Sequence, residues 1–566
     1  MPTEGISQDP NAAVTDLADR FWEGVLERDP LYATLLGDER YDDQLPDLGP
    51  AGRDADATAY RDVLQAIEAM GDAQLDTESR ITRDMLALVA RNGLEALDAK
   101  MYQLSLDHIS GPQTSPAQIA QYQRVDTDAR LDTLLTRFAA YPRMIEEHLA
   151  TLAEGVADGR TQAVVPVTRA IEQIERMLAT PVAESPAVVL AGVQTDVARE
   201  RVRSAVEQHV YPALQSLRDY LVETYRAKAR PEPGLSATPD GEAAYALSIR
   251  LQTTVAASPP EVHDFGLADL ERIEAEKDEI ARRLGHADRH ELAAALLADP
   301  ANHTDDPNRI VELAQEQTAR AFATAPRYFG RLPTADCVVM AVESYRERES
   351  PPAFYMPPRL DGGRPGQYYL NTFEPHERQL HKIAAITFHE ATPGHHFQIG
   401  IEQELTGLPA FRTLGSRLVG AAYAEGWGLY TERLADEMGL YESDQERLGM
   451  LEAQSFRAAR LVVDSGIHAF GWSRERAITF MHERGSLPMV DAAIEVDRYT
   501  IWPGQALSYK MGQREIERAR DEVRAAMGDR FDLRAFHDEV LGHGSLPLET
   551  LRREIPGWVE AAVAQA

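Results

Sequence analysis

Apolar residues recur three and four apart through most of this chain, the period of a helix with one buried face. In residues 11–28, Leu17, Phe21, Val25 and Leu26 form one such stripe, and Asp29-Pro30 ends it. Residues 45–52, rich in proline and glycine, interrupt the pattern, which resumes over 57–70, 77–98, 129–155, 167–178 and 193–228. Residues 229–238 carry Pro231, Pro233 and Gly234 and read as a linker. The expected division is a helical N-terminal lobe, 1–235, and a second lobe, 236–566, with one continuous domain as the alternative. Helical patterns return over 267–284, 290–297 and 308–324. Residues 337–372 differ: apolar and polar positions alternate, and the stretch ends in Pro365-Gly366-Gln367-Tyr368-Tyr369-Leu370-Asn371-Thr372. That alternation predicts a small antiparallel sheet whose last strand is an edge. Beyond residue 396 the helical period holds to the C-terminus. The fold class is mainly α.

Composition narrows the classes of function. With 566 residues and 44% hydrophobic content the chain can bury a large core. It has no run of about 18 apolar residues, so no membrane span is expected. Residues 1–11 lack the basic and apolar regions of a signal peptide, and a cytoplasmic location is expected. Cys337 is the one cysteine. It excludes an intramolecular disulfide and a cysteine-based zinc site, and reads as a small packed residue. The formal net charge of −33 argues against nucleic-acid binding. Lysine occurs only at 100, 228, 277, 382 and 510, so arginine supplies nearly all the positive charge. Such a composition suits a salt-adapted cytoplasm or a GC-rich genome.

The candidate chemistry lies in Thr387-Phe388-His389-Glu390-Ala391-Thr392-Pro393-Gly394-His395-His396-Phe397-Gln398. A neutral imidazole is a good ligand for a transition metal, and a carboxylate beside it can act as a base. The stretch nearly matches H-E-x-x-H, but four residues rather than two separate Glu390 from His395. Pro393 cannot donate to the carbonyl of His389 and crowds it. A kink between Ala391 and Gly394 would absorb the extra residues and bring His395 or His396 back toward His389. On an unbroken helix His396 would share the face of His389 but lie about 10 Å along the axis, too far for one ion. His395 is therefore favoured, with His396 as the alternate.

At this block the chain resembles the domain of unknown function family 885, whose members carry H-E-x-x-P-G-H-H. The resemblance extends to Phe21-Trp22, to residues 29–37 (Asp29 to Gly37), to Ala422-Tyr423-Ala424-Glu425-Gly426-Trp427-Gly428-Leu429-Tyr430, and to residues 499–510 around Trp502-Pro503-Gly504-Gln505. That family is similar to the gluzincin metallopeptidases, including the oligopeptidase, angiotensin-converting-enzyme and thermostable-carboxypeptidase families, which use H-E-x-G-H. The resemblance implies a two-lobed helical fold with the small sheet just before the zinc helix, one Zn2+ per chain, and a third ligand from a glutamate on a following helix. Glu425, thirty residues beyond His395 and flanked by Ala421, Ala422, Ala424, Gly426 and Gly428, fits that place. Glu432, two turns on, is the alternate or a partner of a ligand. Glu402 and Glu404 read as solvated helix charges.

The resemblance also implies a late tyrosine that donates to an oxyanion, Tyr509 or Tyr499, and an edge strand that pairs with substrate, which puts Tyr369 and Asn371 among substrate-binding residues. Arg498 and Lys510 are candidates for holding a substrate carboxylate. Asp464 and His468 share a helix face four residues apart. Asp464 is a candidate to orient a ligand imidazole, and His468 to donate to a substrate oxygen.

The expected activity is zinc-dependent hydrolysis of peptide bonds in short peptides, of carboxypeptidase or dipeptidyl carboxypeptidase type, with Glu390 as general base. The rivals are a non-haem Fe(II) enzyme using the same two histidines and carboxylate, and a non-catalytic peptide-binding protein. A homodimer is compatible with the sequence, which does not fix the oligomeric state.

Overall fold

The computed structural model describes residues 9–71, 74–343, 347, 350–359 and 362–565. The chain divides into two compact units, each assembled from more than one stretch. The first is Met1–Leu247 with Ile467–Arg474 and Ile494–Pro503; the second is Ser248–Gly466 with Glu475–Ala493 and Gly504–Ala566. The protein is mainly helical, and among the described residues the strands form one three-stranded sheet. No helix among the described residues is long and apolar enough to cross a membrane.

In the first unit, helix Pro10–Arg28 buries Leu17, Phe21, Val25 and Leu26 as their spacing predicts. Helix Thr77–Asp98 starts where the Asp76 carboxylate accepts the N–H of Ser79, satisfying a donor that the helix itself leaves open. Residues 193–228 are less regular than their pattern suggests. α-Helical Asp196–Ala205 and Tyr211–Tyr220 alternate with π-helical turns Val206–Val210 and Leu221–Tyr225. The turns let Val206, Val210, Leu221 and Tyr225 all reach the core around Phe138, Tyr141 and Met144.

The second unit begins with helices α1 (Pro259–Arg283) and α2 (Pro307–Thr324). Ser258 and Glu261 cap α1 reciprocally, each side chain accepting the other's backbone N–H. The sheet follows: β1 (Cys337–Ala341), β2 (Ala353–Met356) and β3 (Gly366–Leu370). It is mixed, not antiparallel. β3 runs parallel to β1, with Val339 opposite Tyr368, and antiparallel to β2, with Phe354 opposite Tyr369. The order β1-β3-β2 makes β3 the central strand, so the expected edge is occupied on both sides. Tyr368 and Leu370 of β3 pack with Ile310 and Ala314 of α2, with Ile383, and with Ala391.

Five further helices matter to the site: α3 (Ile383–Glu390), α4 (His395–Gln403), α5 (Ala422–Glu437), α6 (Asp444–His468) and α7 (Ser508–Met527). α5 and α7 lie against each other at a glycine contact, where a Cβ on Gly426 would overlap Gly512. Two residues further on, a Cβ on Gly428 would sit 2.8 Å from the His389 imidazole. The small residues of α5 thus admit two neighbours: α7 at Gly426 and α3 at Gly428.

Candidate metal centre

α3 stops at Glu390 because the next four residues cannot continue it. Ala391 has φ −103° and ψ −109°, and Gly394 has φ −79° and ψ −130°, both outside the helical region. Pro393 lacks the N–H that would bond the His389 carbonyl. A Cβ on Gly394 would overlap that same carbonyl, so only glycine fits. The indole N–H of Trp427, on α5, donates to the Pro393 carbonyl at 2.9 Å and holds the turn in place. The chain then re-enters a helix at His395.

The break brings two imidazoles together. The rings of His389 and His395 are 4.7 Å apart and nearly perpendicular, at 88°. The Glu425 carboxylate lies 3.5 Å from Nε2 of His389 and 3.5 Å from Nε2 of His395. One donor atom from each of the three residues falls within 4.8 Å of the others. Donors held about 2.0–2.1 Å from a tetrahedral zinc stand about 3.3 Å apart, close to the two His–Glu separations here. Among the described residues no fourth His, Cys, Asp or Glu joins the group. Three protein ligands leave a coordination position for water or substrate.

His396 does not share in this. It is buried, and its Nδ1 lies 2.9 Å from the hydroxyl of Tyr355. Burial pushes it down to about 4, so it stays neutral.

The second nitrogen of His389 meets Glu432. Nδ1 is 2.9 Å from Oε1 of that carboxylate, which is wholly buried. Gln454 of α6 donates to the other oxygen at 3.0 Å and accepts from Lys510 at 2.7 Å. Lys510 in turn pairs with Asp269 of α1 at 2.7 Å. Without a metal, burial disfavours the imidazolium of His389, but its bonds to Glu425 and Glu432 prevail and raise it to about 9. Burial likewise opposes the charge on Glu425, yet the two histidines hold it well below the ordinary carboxylate range. Glu390 follows His389 directly and is half-buried; among the described residues no group hydrogen-bonds its carboxylate. The ring of Tyr509 lies 6.4 Å from that of His389, inclined by 23°. Two guanidinium groups from α6 stand over Tyr509: Arg460 at 4.4 Å and Arg457 at 5.9 Å.

Other expected site residues have different places. The Asp464 carboxylate accepts the N–H of Gly504 at 3.1 Å and anchors a turn, while the carboxylate that meets the His389 imidazole is that of Glu432. His468, in the first unit, receives the N–H of Leu235 and contacts the Tyr499 carbonyl, so backbone groups use both ring nitrogens. Burial drops it to about 3, and it cannot serve as an acid near neutrality. Arg498 and Tyr499, also in the first unit, both bond Glu495. Lys510, expected to meet a substrate carboxylate, is buried and engaged by Asp269 and Gln454. Tyr369 stacks on Phe354 at 4.7 Å in the sheet. Asn371 donates to the carbonyls of Glu347 and Ser350, fastening a loop. Glu402 is not a solvated charge: it is buried beside Gln398 and Ser545, and burial raises it to about 7. Glu404 caps backbone donors of Thr334 and Ala335.

Sequence reasoning passed over Gln454, Arg457 and Arg460. The available signal was their setting, since Gln454-Ser455-Phe456-Arg457-Ala458-Ala459-Arg460 runs into Leu461-Val462-Val463, an apolar stretch in which polar groups need partners.

The chain belongs to the family described as "Bacterial protein of unknown function (DUF885)", whose model matches residues 30–555. No curated protein matches it. Its structure is similar to the crystal structure of a "putative lipoprotein" from Colwellia psychrerythraea, with TM-score 0.89 and 25% identity over 98% of this chain and 100% of that one. It is also similar in fold to a "putative lipoprotein of unknown function" from Shewanella oneidensis, with TM-score 0.75 and 18% identity over 96% of this chain and 99% of that one.

Proposed function

We propose that this protein is a zinc-dependent hydrolase that cleaves peptide bonds in short peptides, with a fold and site of the gluzincin kind. The observation that carries the reading is the convergence of His389, His395 and Glu425 beside the half-buried carboxylate of Glu390. His389, His395 and Glu425 would hold the zinc, which when bound would supply a Lewis acid to polarise the scissile carbonyl and acidify a water. Glu390 takes the proton of that water as it attacks and passes it to the leaving amine. Tyr509, a neutral donor at pH 7, faces the centre from α7 and donates to the carbonyl oxygen as it gains charge. Glu432 keeps His389 turned so that its Nε2 is directed toward the Glu425 carboxylate, where it would be free to ligate.

The same donors would also serve a non-haem iron enzyme. Glu390 favours hydrolysis, because that chemistry has a use for a carboxylate next to a ligand and oxygenation does not. The test is metal analysis of the purified protein, then digestion of a mixed short-peptide library with and without chelator. About one zinc per chain and chelator-sensitive cleavage support the reading. Iron without cleavage overturns it. Glu390→Gln is expected to keep its zinc and lose about 100-fold or more in turnover; full turnover in that variant would sink the mechanism.

A further inference from the structure

Both residues expected to hold a substrate carboxylate are engaged elsewhere, Arg498 with Glu495 and Lys510 with Asp269. One guanidinium group does stand in the metal centre. Arg457 Nη2 lies 3.8 Å from Oε1 of Glu432, the oxygen that also meets His389. That separation permits charge attraction but is too long for a hydrogen bond. Among the described residues, the hydrogen bond Arg457 makes is to the Ala453 carbonyl, at 3.4 Å, and its buried Nε has no partner. Most of its five donors are therefore unused in a setting where buried polar groups are normally satisfied. Its side chain is 14% exposed, so a ligand can reach it. It lies over the rings of Phe456 and Tyr509, at 5.3 and 5.9 Å, and a planar guanidinium can make a two-pronged bond to a carboxylate.

We propose that Arg457 binds the free α-carboxylate of the substrate, so that the enzyme removes residues from the C-terminal end of short peptides. This rests on the hydrolytic reading above and adds the group that selects the substrate end. The competing role for Arg457 is to balance the charge of Glu432, and the two make different demands on its variants.

The experiment compares one short peptide as free acid and as C-terminal amide, with zinc-loaded wild type, Arg457→Gln and Arg457→Lys. Wild type is expected to favour the acid by about 10- to 100-fold in kcat/KM. Arg457→Gln should lose that preference through a raised KM for the acid, with a much smaller loss on the amide, and keep its zinc. Arg457→Lys should recover part of it. Equal cleavage of acid and amide by wild type overturns the proposal, as does an equal loss on both substrates or a loss of zinc in Arg457→Gln. If neither peptide is cleaved, hydrolysis is what fails, and calorimetric binding to the zinc-loaded protein decides the carboxylate site. Tighter binding of the acid that vanishes in Arg457→Gln upholds it, and equal binding overturns it.

Discussion

Nδ1 of His389 lies 2.9 Å from Oε1 of Glu432, a carboxylate with no solvent exposure. Gln454 occupies the other oxygen, so Glu432 has little freedom to turn away from the imidazole. Partners of this kind fix which ring nitrogen faces a metal and raise its basicity. Glu432→Ala is expected to weaken zinc binding by about 10- to 100-fold, measured by competition with a chromogenic chelator. Unchanged affinity would mean that the bond does not orient the ligand.

His395 and His396 are adjacent, yet only His395 faces Glu425. His395→Ala should therefore lose bound metal, while His396→Ala should retain about one equivalent by elemental analysis. The reverse pattern would place the ion on the wrong side of α4.

Metal uptake should be linked to protons. His389 is raised to about 9 by its two carboxylate partners in the metal-free protein, so it is protonated at pH 7. Only the neutral imidazole ligates, so binding must expel that proton. Zinc affinity should rise about tenfold per pH unit from near 7 toward 9 and then level off. Calorimetry in buffers of different ionisation enthalpy would count the proton. The metal-free protein should show the matching trend in stability. A raised pKa contributes stability below the unfolded value, near 6.5, and that contribution is lost as pH climbs to about 9.

Gly394→Ala places a methyl group against the His389 carbonyl. The expected cost is about 1–3 kcal/mol in chemical denaturation, together with loss of metal. A stable, metal-loaded alanine variant would show that the turn can relax.

Lys510→Met removes one member of a buried ion pair and leaves Asp269 with Arg272 as its remaining cation. Because Arg272 still neutralises Asp269, a loss of about 1–3 kcal/mol is expected, from the lost hydrogen bonds to Asp269 and Gln454. Any residual activity should keep the wild-type KM, since the amine faces the interior of the second unit; a selectively raised KM would restore Lys510 to the substrate.

The helices were legible where one face is apolar: residues 11–28 and 77–98 emerge as Pro10–Arg28 and Thr77–Asp98. The interruption after Glu390 was legible too, because Pro393 and Gly394 are local signals whose effect does not depend on distant partners. Strand order was not. Alternation marks 366–370 as a strand, but which neighbours flank it depends on loops that carry no pairing code, and β3 lies at the centre. Buried charge was also missed. Glu402, Lys510 and Arg457 look like solvated helix residues by type, and only the tertiary positions of Ser545, Asp269 and Glu432 reveal otherwise. His468 misled for the opposite reason: an imidazole near an aspartate suggests chemistry, while its partners are backbone atoms from two other segments.

The interruption at Ala391–Gly394 has a consequence for how this centre can vary. On one continuous helix the interval between two imidazoles is dictated by backbone pitch, and adapting to another ion requires a new ligand. Here His389 and His395 belong to separate helices joined at a corner, and the interval is set by what each helix leans on. Ile310 and Tyr368 pack with Ile383 on one side, and Trp427 grips the corner on the other. Ordinary core substitutions at such supports can widen or narrow the bite of the two histidines without replacing either one.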